Sequence, residues 1–322
     1  MLEIEIDDLD RALIDALGVR PRASWASLAR VLGSDEGTLA RRWRLLVHTG
    51  AASLVVVPGH AAVPSIAVVE VECAPSEVRR IAEGLRKEDA VLSLDITTGA
   101  RDLVLIVGAS HHEAISEFIL HRLTDIPGLR AVRIAFADSR VYGDTNLSSS
   151  VLSGRQLQEL ERIPLHAEKH SGTVSAALGK LIGNELAGDG RKSIAAIAKA
   201  IGVSDHIIRT SLAALLATDR LQLRVRVPLP YSTKPVKAWF FAKVDPMRVG
   251  DAIEYLMRQD SVRFLAATHG RFDVAMSVRL DRIDDAATFV ENVAHAMPAV
   301  RFVDRSVVLV ETHQPGPVVQ TY

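Results

Sequence analysis

The sequence predicts an α+β protein in which a small helical module and a βαββαβ module each occur twice. Three observations carry that prediction: a register of matching residues between the two halves, a triplet of short capped helices heading each half, and an ordered run of strands and amphipathic helices behind each triplet. A shift of 169 residues places Ser24 on Ser193; Leu9, Leu13 and Leu17 on Leu178, Ile182 and Leu186; and Leu28, Ala29, Leu32 and Gly33 on Ile197, Ala198, Ile201 and Gly202. Further on the shift becomes 171. It then matches Pro75, Val78 and Leu85 with Pro246, Val249 and Leu256, and Thr97, Gly99 and Asp102 with Thr268, Gly270 and Asp273. A constant register over such spans marks a duplication, which has to be found before any fold is assigned.

The elements follow in order. Residues 7–17 form a first helix, and Ser24 is a good N-cap for a second over 25–32. The third, 35–49, starts after Gly33 and Ser34 and stops at Gly50. Leu39, Trp43, Leu46 and Val47 recur on one stripe, while at about 100° per residue Gly37, Arg41, Arg44 and His48 fall opposite, with Arg42 on the flank. Trp43 shares the apolar stripe and reads as core. Residues 51–57 read as a strand or wing. Strand 66–72, helix 76–87, strands 91–98 and 102–108, helix 111–124 and strand 129–137 then give the βαββαβ order of a four-stranded antiparallel sheet under two helices. Residues 138–170 are polar and Ser/Gly-containing and read as a linker with a short helix near 156–162. The second copy has helices at 173–187, 193–201 and 204–218, a strand at 221–227 and a second βαββαβ segment over 237–312; the tail from Gln314 reads as loose. The fold class is therefore two winged helix-turn-helix domains alternating with two ferredoxin-like domains. Their bounds are 1–60, 61–143, a linker at 144–170, 171–229 and 230–322.

The bulk numbers fit. With 322 residues, 48% of them hydrophobic, 24% charged and a net charge of −1, the chain has enough length for several cores and shows no global basic signal. Any nucleic-acid surface must be local. One cysteine, Cys73, excludes a disulfide framework and reads as a small buried apolar residue; a cytoplasmic protein is the expectation. The acidic N-terminal stretch lacks the pattern of a signal peptide, and Pro58, Gly59, His60 and Pro64 interrupt the longest apolar run, so no membrane span is expected.

Leu9, Asp10 and Arg11 in the first helix, Ser27, Leu28 and Ala29 in the second, Leu39 to Arg42 in the third, and the Thr-x-Gly-x-x-Asp turns at Thr97–Asp102 and Thr268–Asp273 together resemble the Lrp/AsnC transcription regulators. The resemblance covers nearly all of the chain except the linker and tail. It implies DNA binding through the helix-turn-helix, association through the βαββαβ sheets, and sensing of an amino acid or similar small metabolite near the Gly-x-x-Asp turn. The usual member carries one copy per chain, so this tandem chain has the content of a dimer.

The DNA-contact slot of the family falls on Thr38, Arg41, Arg42 and Arg44. From Ala16 to His60, six arginines face Asp35 and Glu36, a local net of +4. In the second copy the three arginines become Thr210, Ser211 and Ala213, leaving His206 and Arg209 on the helix and Arg224 and Arg226 on the following strand. The first copy is expected to read bases and the second mainly to grip phosphate. Effector-binding candidates are Thr98, Gly99, Arg101, Asp102, His269, Gly270, Arg271 and Asp273, the cations being suited to a carboxylate. The plain alternatives are a solvated arginine face on the helix and, at the turns, hairpin glycines with φ above zero held by Asp102 and Asp273. Adjacent His111 and His112 point apart on a helix start and give no metal site. No catalytic motif appears and no cofactor is expected.

One enzyme class shares the architecture: the sirohaem decarboxylases also look like duplicated Lrp/AsnC units. They carry aromatic and Asn residues in the third strand, where this chain has Asp102 to Leu105 and Asp273 to Met276. A third reading, an effector-binding module without DNA, makes both helix-turn-helix copies structural.

Overall fold

The computed structural model describes residues 5–59, 61–142, 151–164 and 174–313. Two compact units emerge, and each gathers like parts from both halves of the sequence. The tail from Gln314, and most of the linker outside 151–164, lie outside the described residues.

The first unit holds both helical triplets. Helices α1 (Asp8–Val19), α2 (Trp25–Leu32) and α3 (Glu36–His48) are followed by β1 (Ser53–Pro58). Asp7, Ser24 and Asp35 each cap a helix by accepting a backbone N–H three residues on, which satisfies a donor with no partner inside the helix. Gly33, at φ 66°, ends α2 in the left-handed region that favours glycine. The second triplet repeats this as α7 (Ala176–Ala187), α8 (Ile194–Ile201) and α9 (Asp205–Ala217), with Gly202 at φ 81° and then β6 (Leu221–Arg226). Leu13, Leu17, Leu28, Leu39, Trp43 and Leu46 form the first core, and Ile182, Leu186, Ile197, Ile208 and Leu215 the second. Val47, expected in the buried stripe, is 42% exposed, because the stripe turns away from the core after Leu46.

Two expectations change here. The strands after the triplets are not separate wings: β1 and β6 pair antiparallel from Ser53↔Arg226 to Pro58↔Leu221. Each also serves the other copy's core, Val56 in the second and Leu223 and Val225 in the first. The short linker helix, α6 (Gly154–Glu161), is part of the first triplet's core through fully buried Leu160. Arg20 donates to the carbonyls of Glu161 and Ile163, and Gln156 to that of Val31, which fixes α6 in place.

The second unit holds the sheets. The first half supplies β2 (Ser65–Cys73), α4 (Val78–Leu85), β3 (Val91–Thr97), β4 (Leu103–Ala109), α5 (His112–Phe118) and β5 (Leu129–Tyr142). The second supplies β7 (Val236–Val244), α10 (Val249–Met257), β8 (Val262–His269), β9 (Val274–Leu280), α11 (Asp285–Ala296) and β10 (Val300–His313). Helix α5 runs on as a π-helical turn over Ile119–Leu123, so the expected helix at 111–124 is two pieces. The strand order β3-β4-β2-β5 is continued by β8-β9-β7-β10 and closes into a barrel. The sheet pairing expected between chains is made within this one. That is why β5 runs past its expected end at 137: it needs the extra length to pair with the other half's sheet. Two apolar clusters lie between the sheets and their helices, and a third, with Trp239, Phe241, Phe264 and Phe272, fills the barrel. No single helix among the described residues is long and apolar enough to cross a membrane.

Candidate nucleic-acid interface and effector turns

Helix α3 is positioned from both ends. The Asp35 carboxylate accepts the Thr38 N–H at 2.8 Å, and Leu39, Trp43 and Leu46 anchor one side at 0%, 5% and 0% exposure. Thr38 is thereby half-buried at the cap, while Arg41 and Arg44 are exposed on the side away from the stripe. Arg44 bends back to donate to the Ala40 carbonyl at 3.3 Å. Arg42, expected among the DNA contacts, is engaged elsewhere: it donates to the Asp7 and Asp10 carboxylates at 2.7 and 3.0 Å, tying α3 to the capping box of α1. Burial opposes the charge on Asp7, but the Asp10 N–H and the Arg42 guanidinium outweigh it and hold the carboxyl below its ordinary range.

Helix α9 has the same anchor and another face. Ile208, Ser211, Leu212, Ala213, Ala214 and Leu215 are buried, and Thr210 turns its hydroxyl onto the His206 carbonyl. His206 and Arg209 are exposed near the start of the helix. Arg224 donates to Gln222 Oε1 at 2.7 Å, and Gln222 donates to Asp219. Arg224 and Arg226 were expected on a free wing. They lie instead in a strand paired with β1, with Arg226 opposite Ser53.

A reciprocal clasp joins the triplets. Arg22 donates to the carbonyls of Gly190 and Lys192 at 2.6 and 2.9 Å, and Arg191 to those of Pro21 and Ala23 at 2.7 and 2.8 Å. Arg191 also lies 4.1 Å over the Trp25 ring. Burial and the nearby Arg22 draw the Arg191 guanidinium down to about 10. These contacts were not anticipated, although the 169-residue register does place Arg22 on Arg191.

The two Thr-x-Gly-x-x-Asp turns are built alike. Thr97 and Thr268 donate their hydroxyls to the carbonyls of Arg101 and Phe272 at 3.1 and 2.8 Å. Asp102 and Asp273 accept the N–H of Cys73 and Val244 at 2.7 and 2.9 Å, so each clasps the neighbouring strand end. Lys243 pairs with Asp273 at 3.0 Å. Gly99 has φ 94°, as a tight hairpin demands. Gly270 does not share that conformation: a Cβ there would come within 2.9 Å of the Ala135 Cβ, so close approach is what requires glycine.

Thr98, Gly99, His269, Gly270 and Arg271 are exposed. Arg101, expected as an open cation at the turn, is 2% exposed. Its guanidinium pairs with Glu70 at 2.5 Å and with Asp304, donates to Ser306 at 2.9 Å, and lies 4.3 Å over Phe241. Burial raises the Glu70 carboxyl above its ordinary range against the pull of Arg101. Cys73 is buried, and burial with nearby Asp102 pushes its thiol up to about 11.

Comparison with known proteins agrees with this geometry. Residues 6–47 match the AsnC-type helix-turn-helix domain, and residues 66–147 the Lrp/AsnC ligand binding domain. An uncharacterised HTH-type transcriptional regulator of Pyrococcus furiosus is 29% identical over 137 residues, 42% of this chain and 93% of its own length. LrpA of Pyrococcus abyssi, also an HTH-type transcriptional regulator, is 21% identical over 130 residues, 39% of this chain and 92% of its own. Across nearly the whole chain the fold is similar to that of the siroheme decarboxylase NirDL, with a TM-score of 0.59 at 12% identity, covering 96% of this chain and 93% of that one. At that identity the likeness concerns the fold alone. Residues 6–47 and 66–147 are thus similar to the helix-turn-helix and ligand binding domains of Lrp/AsnC proteins, and the relatives matched over that part of the chain are HTH-type transcriptional regulators.

Proposed function

We propose that the chain is a sequence-specific DNA-binding transcription regulator whose first triplet reads the site. The observation that carries this is the outer face of α3, where Arg41 and Arg44 stand exposed away from the buried Leu39, Trp43 and Leu46. A short anchored helix with arginines outward has the dimensions and donors for major-groove base edges. The second triplet, through His206, Arg209, Arg224 and Arg226, contributes mainly phosphate contacts. In this reading residues 1–60 and 171–229 are helix-turn-helix domains whose following strands pair with each other, and 61–143 and 230–322 are ferredoxin-like effector and oligomerisation domains in a cytoplasmic protein. An amino acid-like effector meets the exposed residues Thr98, Gly99, His269, Gly270 and Arg271, and shifts the population of DNA-bound arrangements.

Genome-wide binding, followed by gel shift with the recovered site and candidate amino acids, tests this. A retarded complex that competitor DNA of scrambled sequence fails to displace is the expected result. The second reading, a sirohaem decarboxylase-like enzyme, draws on the fold shared with NirDL. Absence of binding to any duplex at low salt, together with porphyrin absorbance in the purified protein, would replace the first reading by the second.

A further inference from the structure

The two seams that close the barrel are equivalent in backbone and opposite in chemistry. At one, β3 of the first half meets β10 of the second, with Val308 opposite Thr97. At the other, β8 meets β5, with Ala137 opposite Thr268. The 171-residue register maps one pair onto the other. The approach of the turns matches too: a Cβ on Gly99 would meet Ser306, and one on Gly270 would meet Ala135, its equivalent. Only beyond the following bulge do the registers part, Glu311 facing Asp95 on one side and Val141 facing Ala266 on the other.

The side chains do not follow this symmetry. At the first seam Arg101 is buried against its own Glu70 and against Asp304 and Ser306 of the other half. The equivalents of these four residues are Phe272, Phe241, Arg133 and Ala135. At the second seam Phe272 therefore packs on Phe241 with ring centroids 4.8 Å apart, while Arg133 pairs outside the aromatic cluster with Glu72 at 2.5 Å. A second buried group repeats the pattern. Asp95, 0% exposed, receives Lys237 at 2.8 Å and the Trp239 indole N–H at 2.7 Å, both from the other half. The equivalents of Lys237 and Trp239 are Ile66 and Val68.

We infer that the barrel seam is a heterotypic interaction surface: each sheet-bearing half accepts only the complementary half and rejects another copy of itself. Two first halves brought together in the same register set Arg101 against Arg133 and Ala135, and Asp95 against Ile66 and Val68. Two second halves leave Asp304 without its arginine and Lys237 without Asp95. Stripping one partner from a buried ion pair is strongly destabilising, whereas the complementary pairing satisfies every charge. Buried polar groups are an attested means of fixing one pairing among several that apolar packing alone would allow. The helical unit supplies the contrast. The Arg22 and Arg191 clasps are both arginines directed at backbone carbonyls, so these hydrogen bonds carry no such preference. Discrimination resides in the barrel and is independent of whether the chain binds DNA.

Disulfide trapping in the full-length chain, in a Cys73→Ala background, tests the inference. Thr97→Cys with Val308→Cys reports complementary pairing, and Thr97→Cys with Ala137→Cys reports pairing of two first halves from different chains. Oxidation and denaturing electrophoresis should trap the first pair at least ~100-fold more completely than the second, the tether between the halves and the cost of unpaired buried charge acting together. Comparable yields from both pairs, or no trapping of either, would overturn it. A further arm exchanges the seam charges, Arg133→Asp with Asp304→Arg, which gives Arg101 of one first half a carboxylate on another and removes the one it has at the complementary seam. Interchain trapping through Thr97→Cys and Ala137→Cys should then appear in protein shown by circular dichroism to be folded. Unchanged yields in that folded protein would equally defeat the proposal.

Discussion

Arg41 and Arg42 are adjacent in sequence and do different work. Arg41 projects from α3 with its charge free for a groove, while Arg42 closes on Asp7 and on Asp10, a carboxylate only 5% exposed. Arg41→Ala should weaken binding to the cognate site by ~1–3 kcal/mol, the range for a lost base contact, with the melting temperature within a degree or two of the parent. Arg42→Ala should do the reverse, costing ~1–3 kcal/mol of stability by leaving buried Asp10 without its cation. Gel shift and thermal melting on the two variants separate the roles. The buried lysine gives a pH signature. Burial opposes the charge on Lys237, but Asp95 and Glu311 outweigh it and raise its pKa above 10.5. Its stabilising contribution is therefore complete below pH 10.5 and lost as pH rises through the folded-state value. Melting temperature measured from pH 8 upward should fall beyond that point. In Lys237→Met it should start lower and decline less over the same range, since that variant has no proton to lose there.

Among the elements, α6 separates what the sequence shows from what it hides. Its eight residues are too few to hold a helix alone, and only Leu157 and Leu160 mark an apolar side, so its pattern barely differs from a linker. Docking on α1 and α2 gives it a reason to exist. Leu160→Ala should cost ~2–5 kcal/mol in urea denaturation, the range for a large-to-small change in a closed core; an effect below ~1 kcal/mol would mean that α6 only rests on the surface. The helical triplets and the βαββαβ order were legible because caps, glycine stops and apolar periodicity are local signals. The pairing of β1 with β6 was not, because its partners are far apart in sequence and a polar-flanked strand reads the same paired or free. Likewise Arg101 reads as a surface cation until Glu70 and Asp304 are brought to it by strands from both halves. The turn residues were recognisable as a motif, yet their clasp on Cys73 and Val244 needed the sheet register to be seen.

At the scale of the whole molecule, duplication followed by divergence changes what kind of DNA site the protein fits. A dimer of identical chains presents one reading face twice and suits a palindrome. Here the two triplets are joined through β1, β6 and the arginine clasps into one unit, but their faces differ: Arg41 and Arg44 on α3, only His206 and Arg209 on α9. One half-site should therefore be specified by bases and the neighbouring segment held by its backbone. Scrambling the first half-site should abolish specific binding, while scrambling the second should cost less than ~1 kcal/mol, below the usual penalty for one mismatch. Arg41→Ala with Arg44→Ala should erase the preference for the cognate sequence. His206→Ala with Arg209→Ala should weaken binding to all sequences alike and lower the salt dependence by about one or two ions. Quantitative gel shifts over a salt series with both scrambled duplexes distinguish these outcomes. Equal base dependence in the two half-sites would show that α9 reads DNA through side chains other than arginine, and the functional asymmetry of the helical unit would have to be abandoned.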